Sequence, residues 1–464
     1  MQNHNTLLHG KVGPALLRFA LPFLAASLLQ QLYSTVDMMA VGRLSAHAAI
    51  SLSAVSTGGQ LTYAVTSLLI GLATGTAVGV NALLSRALGA GDREREDISR
   101  TIGTMFPLFA LIALGVSAVM AALTGPLVAL LQVPAEAVSE AEQYLFICAV
   151  GMIFVTGYNM VSGILRGLGD SKSPMILVAI ACVINIIGDI LLVGPLQMGA
   201  AGAAIATVAA QGLSFLFSLV ILRRRKDFPF DFKRSSFRLH RDQSKQLLKL
   251  GVPIAFQDFS IGISFLFITA FINRIGLNES ACVGVVSRVS CIAMLVSTAF
   301  MSAIAAMSAQ NIGAGQPKRA RAAMLWGMGL SFVFSAVLFV LIQLFPGQIL
   351  SVFTDEAGVI EKGILCLRSN IIDALLVSFV FCMNGFFSGC GHTTFSMVNN
   401  LISTYGVRVL GTLVVSLIPG TNMFHIGLAA PAASAVQVVI QLIYLRSGRW
   451  RKNTVLSAPG ETGG

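Results

Sequence analysis

The sequence predicts an all-α polytopic membrane protein, with twelve transmembrane helices in two six-helix bundles related by a pseudo-twofold axis along the membrane normal. Three observations carry this. Of 464 residues, 55% are hydrophobic and only 11% charged, and the mean hydropathy is +0.81. That leaves too little polar surface to coat a soluble globule of this size. Apolar runs of roughly 20 residues recur along the whole chain, which is what a helix needs to cross a hydrocarbon layer of about 30 Å. Strand-like alternation is not evident, so helices rather than a barrel do the spanning. Finally, the second half of the chain repeats the punctuation of the first.

The apolar runs begin near residues 14, 50, 100, 141, 174, 199, 247, 281, 321, 362, 394 and 424. The leading "MQNHNTLLHGKVG" has no short apolar core followed by a small-residue cleavage site, so span 1 reads as an uncleaved anchor, and no soluble domain is appended. A shift of about 225 residues brings "LLRFALP" (16–22) onto "LLKLGVP" (247–253), "GAGD" (89–92) onto "GAGQ" (313–316), "RGLGDS" (166–171) onto "SGCGHT" (388–393), and "GAAIATVAAQ" (202–211) onto "GLAAPAASAVQ" (427–437). The expected organisation is an N-terminal bundle over 1–222, a basic cytoplasmic connector over 223–246, a C-terminal bundle over 247–446 and a cytoplasmic tail over 447–464. Six spans per copy is an even number, so both copies enter from the same side. Parallel repeats facing a central cleft are a transporter architecture, whereas a channel would want a filter sequence that is not evident here. Each half carries a proline early in its first span, Pro22 and Pro253, readable as a hinge or as a tolerated kink.

The net charge of +11 would suggest nucleic acid in a soluble protein. Here the basic residues gather in alternate loops, above all in 223–249, while intervening loops such as "VGPLQMGA" have none. This is the positive-inside pattern, and it places both termini in the cytoplasm of a multi-pass protein of the cell's inner (plasma) membrane, with membrane lipids and not nucleic acid as the partner of the basic run. The seven cysteines show no C-x-x-C pairing, and the six histidines form no H-x-x-x-H pattern. Neither a metal site nor an enzyme constellation emerges.

Against this background, acids inside the spans stand out. An acid at the centre of a membrane helix costs roughly 2.5 to 3.5 kcal/mol on insertion scales, and it persists where it faces the bundle interior with a partner or a task. Asp37 lies six residues before Arg43, roughly 9 Å below the outer end of span 1. In span 5, Asp189 lies roughly 8 Å from the outer end, with Asn185 one turn deeper on the same face, and Thr207 of span 6 is roughly 12 Å down. Two carboxylates, an amide and a hydroxyl thus meet at one depth. Such a set either takes a proton or holds a cation through oxygen ligands. Tyr33, one turn from Asp37, could orient it. In the second copy Ile268 takes the place of Asp37, Arg408 and Thr412 stand near those of Asn185 and Asp189, and alanines near that of Thr207. The fold therefore does not require the acids.

Together these features resemble the multidrug and toxic compound extrusion (MATE) family. The resemblance rests on two six-span bundles, the proline followed by Asp37 and "VGR" in span 1, "GAGD" after span 2, "RGLGDS" after span 4, and Asn-x-x-x-Asp in span 5 with a threonine on span 6. It implies secondary active export of amphipathic, often cationic compounds in exchange for Na+ or H+, with Asp37, Asn185, Asp189 and Thr207 as the cation site, no cofactor, and function as a monomer. NorM-like members carry further acids near "SIG" (260–262) and near Val377. Here the nearest acids are Asp258 and Asp373, each about one turn away, which leans the chain toward the N-lobe-coupled, DinF-like type and leaves Gln257, Asp258 and Asp373 as candidates for a substrate cleft. "RGLGDS" could be read as a phosphate loop, but no Walker lysine follows, and a helix end, a glycine turn and Pro174 opening the next helix explain it. The alternative function is a flippase of a lipid-linked saccharide or cell-wall precursor, which would predict further spans or an arginine-rich cleft.

Overall fold

The computed structural model describes residues 7–46, 48–87, 92–130, 135–225, 230–273, 277–352, 356–418 and 422–451. They form twelve long helices and, among the described residues, no strand: α1 (Val12–Leu44), α2 (Ala48–Ala87), α3 (Asp92–Ala122), α4 (Val138–Gly167), α5 (Lys172–Val193), α6 (Gly199–Arg224), α7 (Arg241–Asn273), α8 (Leu277–Gly313), α9 (Pro317–Leu344), α10 (Ala357–Gly389), α11 (Thr393–Leu417) and α12 (Met423–Arg446). Eleven are long and apolar enough to cross a membrane, and α2, 40 residues long, contributes the apolar stretch Val65–Gly75. The helices begin close to the apolar runs, with two informative exceptions. α3 starts at Asp92 rather than near 100, and α7 at Arg241 rather than near 247. Hydropathy locates the apolar stretch, whereas the polar turns "DREREDIS" and "RDQSKQ" are helical in their own right and extend it. Most of the "GAGD" turn and the tail beyond Arg451 lie outside the described residues.

Two compact units form, one from residues 25–255 and the other from residues 5–24 and 256–464. The division falls inside α1 and α7, two or three residues past Pro22 and Pro253, and not in the 223–246 connector. Side chains explain this. Leu16, Phe19 and Ala20 of α1 are buried in the second unit with Phe300, Ile304, Met324 and Phe386, while Leu247 of α7 is buried in the first unit with Ile98, Ile102, Leu165 and Leu222. Both prolines stay within unbroken helix, although each removes a backbone donor and leaves a carbonyl of the preceding turn without its helical partner.

The units share packing devices. In α4 and α10 a pair of glycines four residues apart, Gly163/Gly167 and Gly385/Gly389, faces α2 and α8 respectively. A Cβ on Gly385 or Gly389 would collide with the carbonyl oxygen of Met301 or Ala305, and one on Gly163 would lie 3.1 Å from the Ala73 oxygen. Small residues at this spacing let helix backbones approach in an apolar solvent that gives no hydrophobic drive. Both helices also end alike. Gly169 and Gly391 have φ of +77° and +86°, and the following residues donate back to Leu165 and Phe387 (Asp170 N to Leu165 O 2.9 Å, His392 N to Phe387 O 2.8 Å). The "RGLGDS" turn is therefore a helix stop. Asp170 then accepts from Lys172 N and Ser173 N, capping α5, and pairs with Arg225 at 3.2 Å.

Candidate functional site

The first unit brings the four polar residues of α1, α5 and α6 together. Asp37 is 9% exposed, Asn185 2% and Asp189 0%. The Asp37 and Asp189 carboxyl groups are close enough to share a hydrogen bond when one of them carries a proton. Asn185 Nδ2 donates to Thr207 Oγ1 at 3.2 Å. With one N–H directed at Thr207, the Asn185 amide is held in one orientation and its oxygen is left without a donor. Among the described residues, Asp37 Oδ1, Asn185 Oδ1 and both oxygens of Asp189 are buried without a hydrogen-bond partner.

Four acceptor oxygens with no donor are an unusual interior. Buried polar atoms are nearly always hydrogen-bonded, and an unpartnered buried carboxylate costs several kcal/mol. Two adjacent carboxyls make ionisation of both harder still. What such an arrangement accepts is a positive guest, a proton or a hard cation. The donor set, two carboxylates, an amide oxygen and a hydroxyl, is all oxygen, which suits a hard cation or a proton.

Several residues that build this region carry no mark in the sequence. Tyr144 and Cys148 of α4 lie within electrostatic reach of Asp37. Tyr144 fits because α2 offers a glycine opposite its ring, where a Cβ on Gly58 would lie 2.7 Å from it. Gln197, in the α5–α6 loop, accepts from Ala46 N at 2.8 Å and donates to Leu44 O at 3.1 Å and to Gly194 O. It therefore ties the C-terminal end of the Asp37 helix to the C-terminal end of the Asp189 helix. Its φ of +49° places this non-glycine residue in the left-handed region, an outlier in the sense that few non-glycine residues sit there. Tyr33 lies within electrostatic reach of Asp37 and Asp189, but makes no hydrogen bond to Asp37 among the described residues.

In the second unit the candidates lie on two different helices. Gln257 and Asp258 are half-buried on α7. Asp373 of α10 is 5% exposed, within electrostatic reach of Ser434 and Arg408. Its Oδ1 is buried without a hydrogen-bond partner, as are the acid oxygens of the first unit, but unlike Asp37 and Asp189 it lies within electrostatic reach of a permanent cation, Arg408. No hydrogen bond joins Asp258 to Asp373 among the described residues.

A sequence profile of the MatE family matches residues 22–191 and again 253–414. The chain belongs to this family of membrane transporters. The two matches begin at Pro22 and Pro253, which is the duplication visible in the sequence. Its fold is that of a solved outward-facing multidrug resistance MATE family transporter of the MOP superfamily, with a TM-score of 0.89 at 20% identity, covering 97% of this chain and 99% of that one. Among relatives, a probable multidrug resistance protein, YpnP, of Bacillus subtilis strain 168 is 29% identical over 442 residues, covering 95% of this chain and 96% of its own. A FAD transporter of Shewanella oneidensis is 27% identical, with 78% of each chain covered.

Proposed function

We propose that this transporter is a secondary active antiporter of the inner membrane, with both termini cytoplasmic, exporting amphipathic compounds in exchange for H+ or Na+ bound at Asp37 and Asp189. The observation that carries the reading is the set of four buried acceptor oxygens with no donor. A cation crossing 100 mV of favourable potential releases about 2.3 kcal/mol per charge before any concentration gradient is counted. The ion enters from outside between Asp37 and Asp189, neutralises their repulsion and lets α1, α5 and α6 pack more closely, with Pro22 as the point at which α1 bends. This repacking lowers affinity for the exported compound, which leaves, and the ion is released inside. Coupling through the first unit alone, the DinF-like type, is supported by the contrast between the two adjacent acids there and Asp373, which has Arg408 and not a second acid within electrostatic reach. The kinship with a probable multidrug resistance protein supports drug-like cargo, while the kinship with a FAD transporter supports a cargo range that reaches anions.

The test is ethidium efflux from vesicles under an imposed Na+ or pH gradient. Asp37→Asn and Asp189→Asn each reduce gradient-driven efflux to the level of protein-free vesicles. Undiminished efflux in both variants overturns the reading.

A further inference from the structure

The place that the duplication assigns to the cation site in the second unit holds a cavity with the opposite electrostatic character. Its walls include Phe265, Ile268, Asn370, Arg408, Thr412 and Ala429. Ile268 takes the place of Asp37, Arg408 and Thr412 those of Asn185 and Asp189, and an alanine stands near the place of Thr207. We propose that this cavity is a binding site for an oxyanion, a carboxylate or phosphate carried on an apolar or aromatic body, with Arg408 as its counter-charge.

The chemistry of the lining supports this. The Arg408 guanidinium lies over the Phe265 ring at 4.4 Å from its centroid, which covers one face of the cation and leaves the donor edges open. Asp373 is close enough to be felt electrostatically, yet no ion pair or hydrogen bond engages the guanidinium among the described residues. A charged arginine inside a membrane bundle is expensive unless it meets an anion or a water-filled cavity. Asn370 accepts from Ser290 Oγ at 2.7 Å, so the group it can still present is a donor amide. Thr412 donates to the Arg408 carbonyl oxygen at 2.8 Å and so holds the turn that carries the arginine. The site thus offers donors where the first unit offers acceptors.

Backbone irregularity supports the same assignment. Arg408 lies in a π-helical turn, Thr404–Val409, while its counterpart α5 is regular α-helix. Near Asn370, α10 tightens for one turn, with Ala374 N donating to Ile371 O at 3.0 Å. π-turns inside helices gather at functional sites, and irregular backbone at membrane depth is tolerated where it is buried or lines a cavity.

The inference deepens the export reading by naming an anionic group on some of the compounds carried, and it rests on that reading only for the word "exported", since binding at the cavity needs no gradient. The test is equilibrium binding of radiolabelled benzoate and phenyl phosphate to the full-length protein in phosphatidylcholine nanodiscs, with benzylamine as the cationic control. Benzoate and phenyl phosphate bind, and benzylamine binds at least tenfold more weakly. Arg408→Gln lowers benzoate affinity at least tenfold, Arg408→Lys restores part of it, and Ile268→Asp, which places a carboxylate beside the arginine, abolishes it. Asp189→Asn leaves benzoate binding in place, so loss of gradient-driven ethidium efflux in that variant is read separately. Weaker benzoate binding in nanodiscs containing phosphatidylglycerol identifies a lipid headgroup as the anion at this same site. Absence of benzoate binding by the parent, or equal binding by parent and by a folded, monodisperse Arg408→Gln, overturns the proposal.

Discussion

The two halves place different charges at corresponding points. In the first unit, α1, α5 and α6 converge on Asp37, Asn185, Asp189 and Thr207, with four acceptor oxygens that lack a donor. In the second, the corresponding residues Ile268, Arg408 and Thr412 line a cavity that presents a guanidinium. The same duplicated scaffold, with paired glycines in α4 and α10 and matched glycine turns after them, supports both. The two halves match at glycines where helix backbones touch and differ in polarity at the positions compared above. A pair of acids in one half and a fixed cation in the other set opposite charges into the same apolar scaffold.

That contrast can be broken most severely by removing the acids. The double variant Asp37→Asn/Asp189→Asn is expected to abolish gradient-driven ethidium efflux, a fall of about tenfold or more from a loss of 1.4 kcal/mol or more of coupling, read in vesicles. Next in size is a packing test at one matched position. Gly389→Leu meets backbone and is expected to destabilise the protein by about 1 to 3 kcal/mol, whereas Gly167→Leu first meets the Val80 side chain at 3.0 Å and costs less. Thermal unfolding in detergent compares the two. A smaller effect follows from cutting the bond between Asn185 and Thr207. Thr207→Val frees the amide to turn and is expected to lower coupling-ion affinity by about 2- to 10-fold, equivalent to roughly 0.5 to 1.5 kcal/mol, measured as the ion concentration that half-saturates efflux. The smallest effect sharpens the comparison. Ile268→Asp restores an acid to the second copy, but beside Arg408 it forms an internal ion pair, so coupling-ion uptake is expected to stay at the parent value.

Much of this arrangement can be read from residue order alone. Twelve helices, their duplication and the convergence of Asp37 with Asn185, Asp189 and Thr207 follow from apolar run length, matched prolines and helical rise. The units divide within α1 and α7 because Leu16 and Leu247 choose their neighbours by shape, which hydropathy does not encode. Tyr144 escapes notice because its position depends on the absence of a side chain at Gly58, on another helix. Gln197 looks like an ordinary loop residue until its three hydrogen bonds are seen. The π-turn at Arg408 has only Gly406 within it to mark it, and that glycine is as compatible with regular helix. Asp373 reads as an available acid because its neighbour Arg408 is 35 positions away in the chain.

The central claim, that ion coupling resides in the first unit only, is tested most directly by uptake of the coupling ion. Binding of radiolabelled Na+, or proton release on drug addition, is measured on the full-length protein in nanodiscs for the parent, Asp37→Asn, Asp189→Asn and Asp258→Asn. The account predicts loss of the signal in the first two variants and its retention in the third. Retention in both Asp37→Asn and Asp189→Asn, with loss in Asp258→Asn, would contradict it.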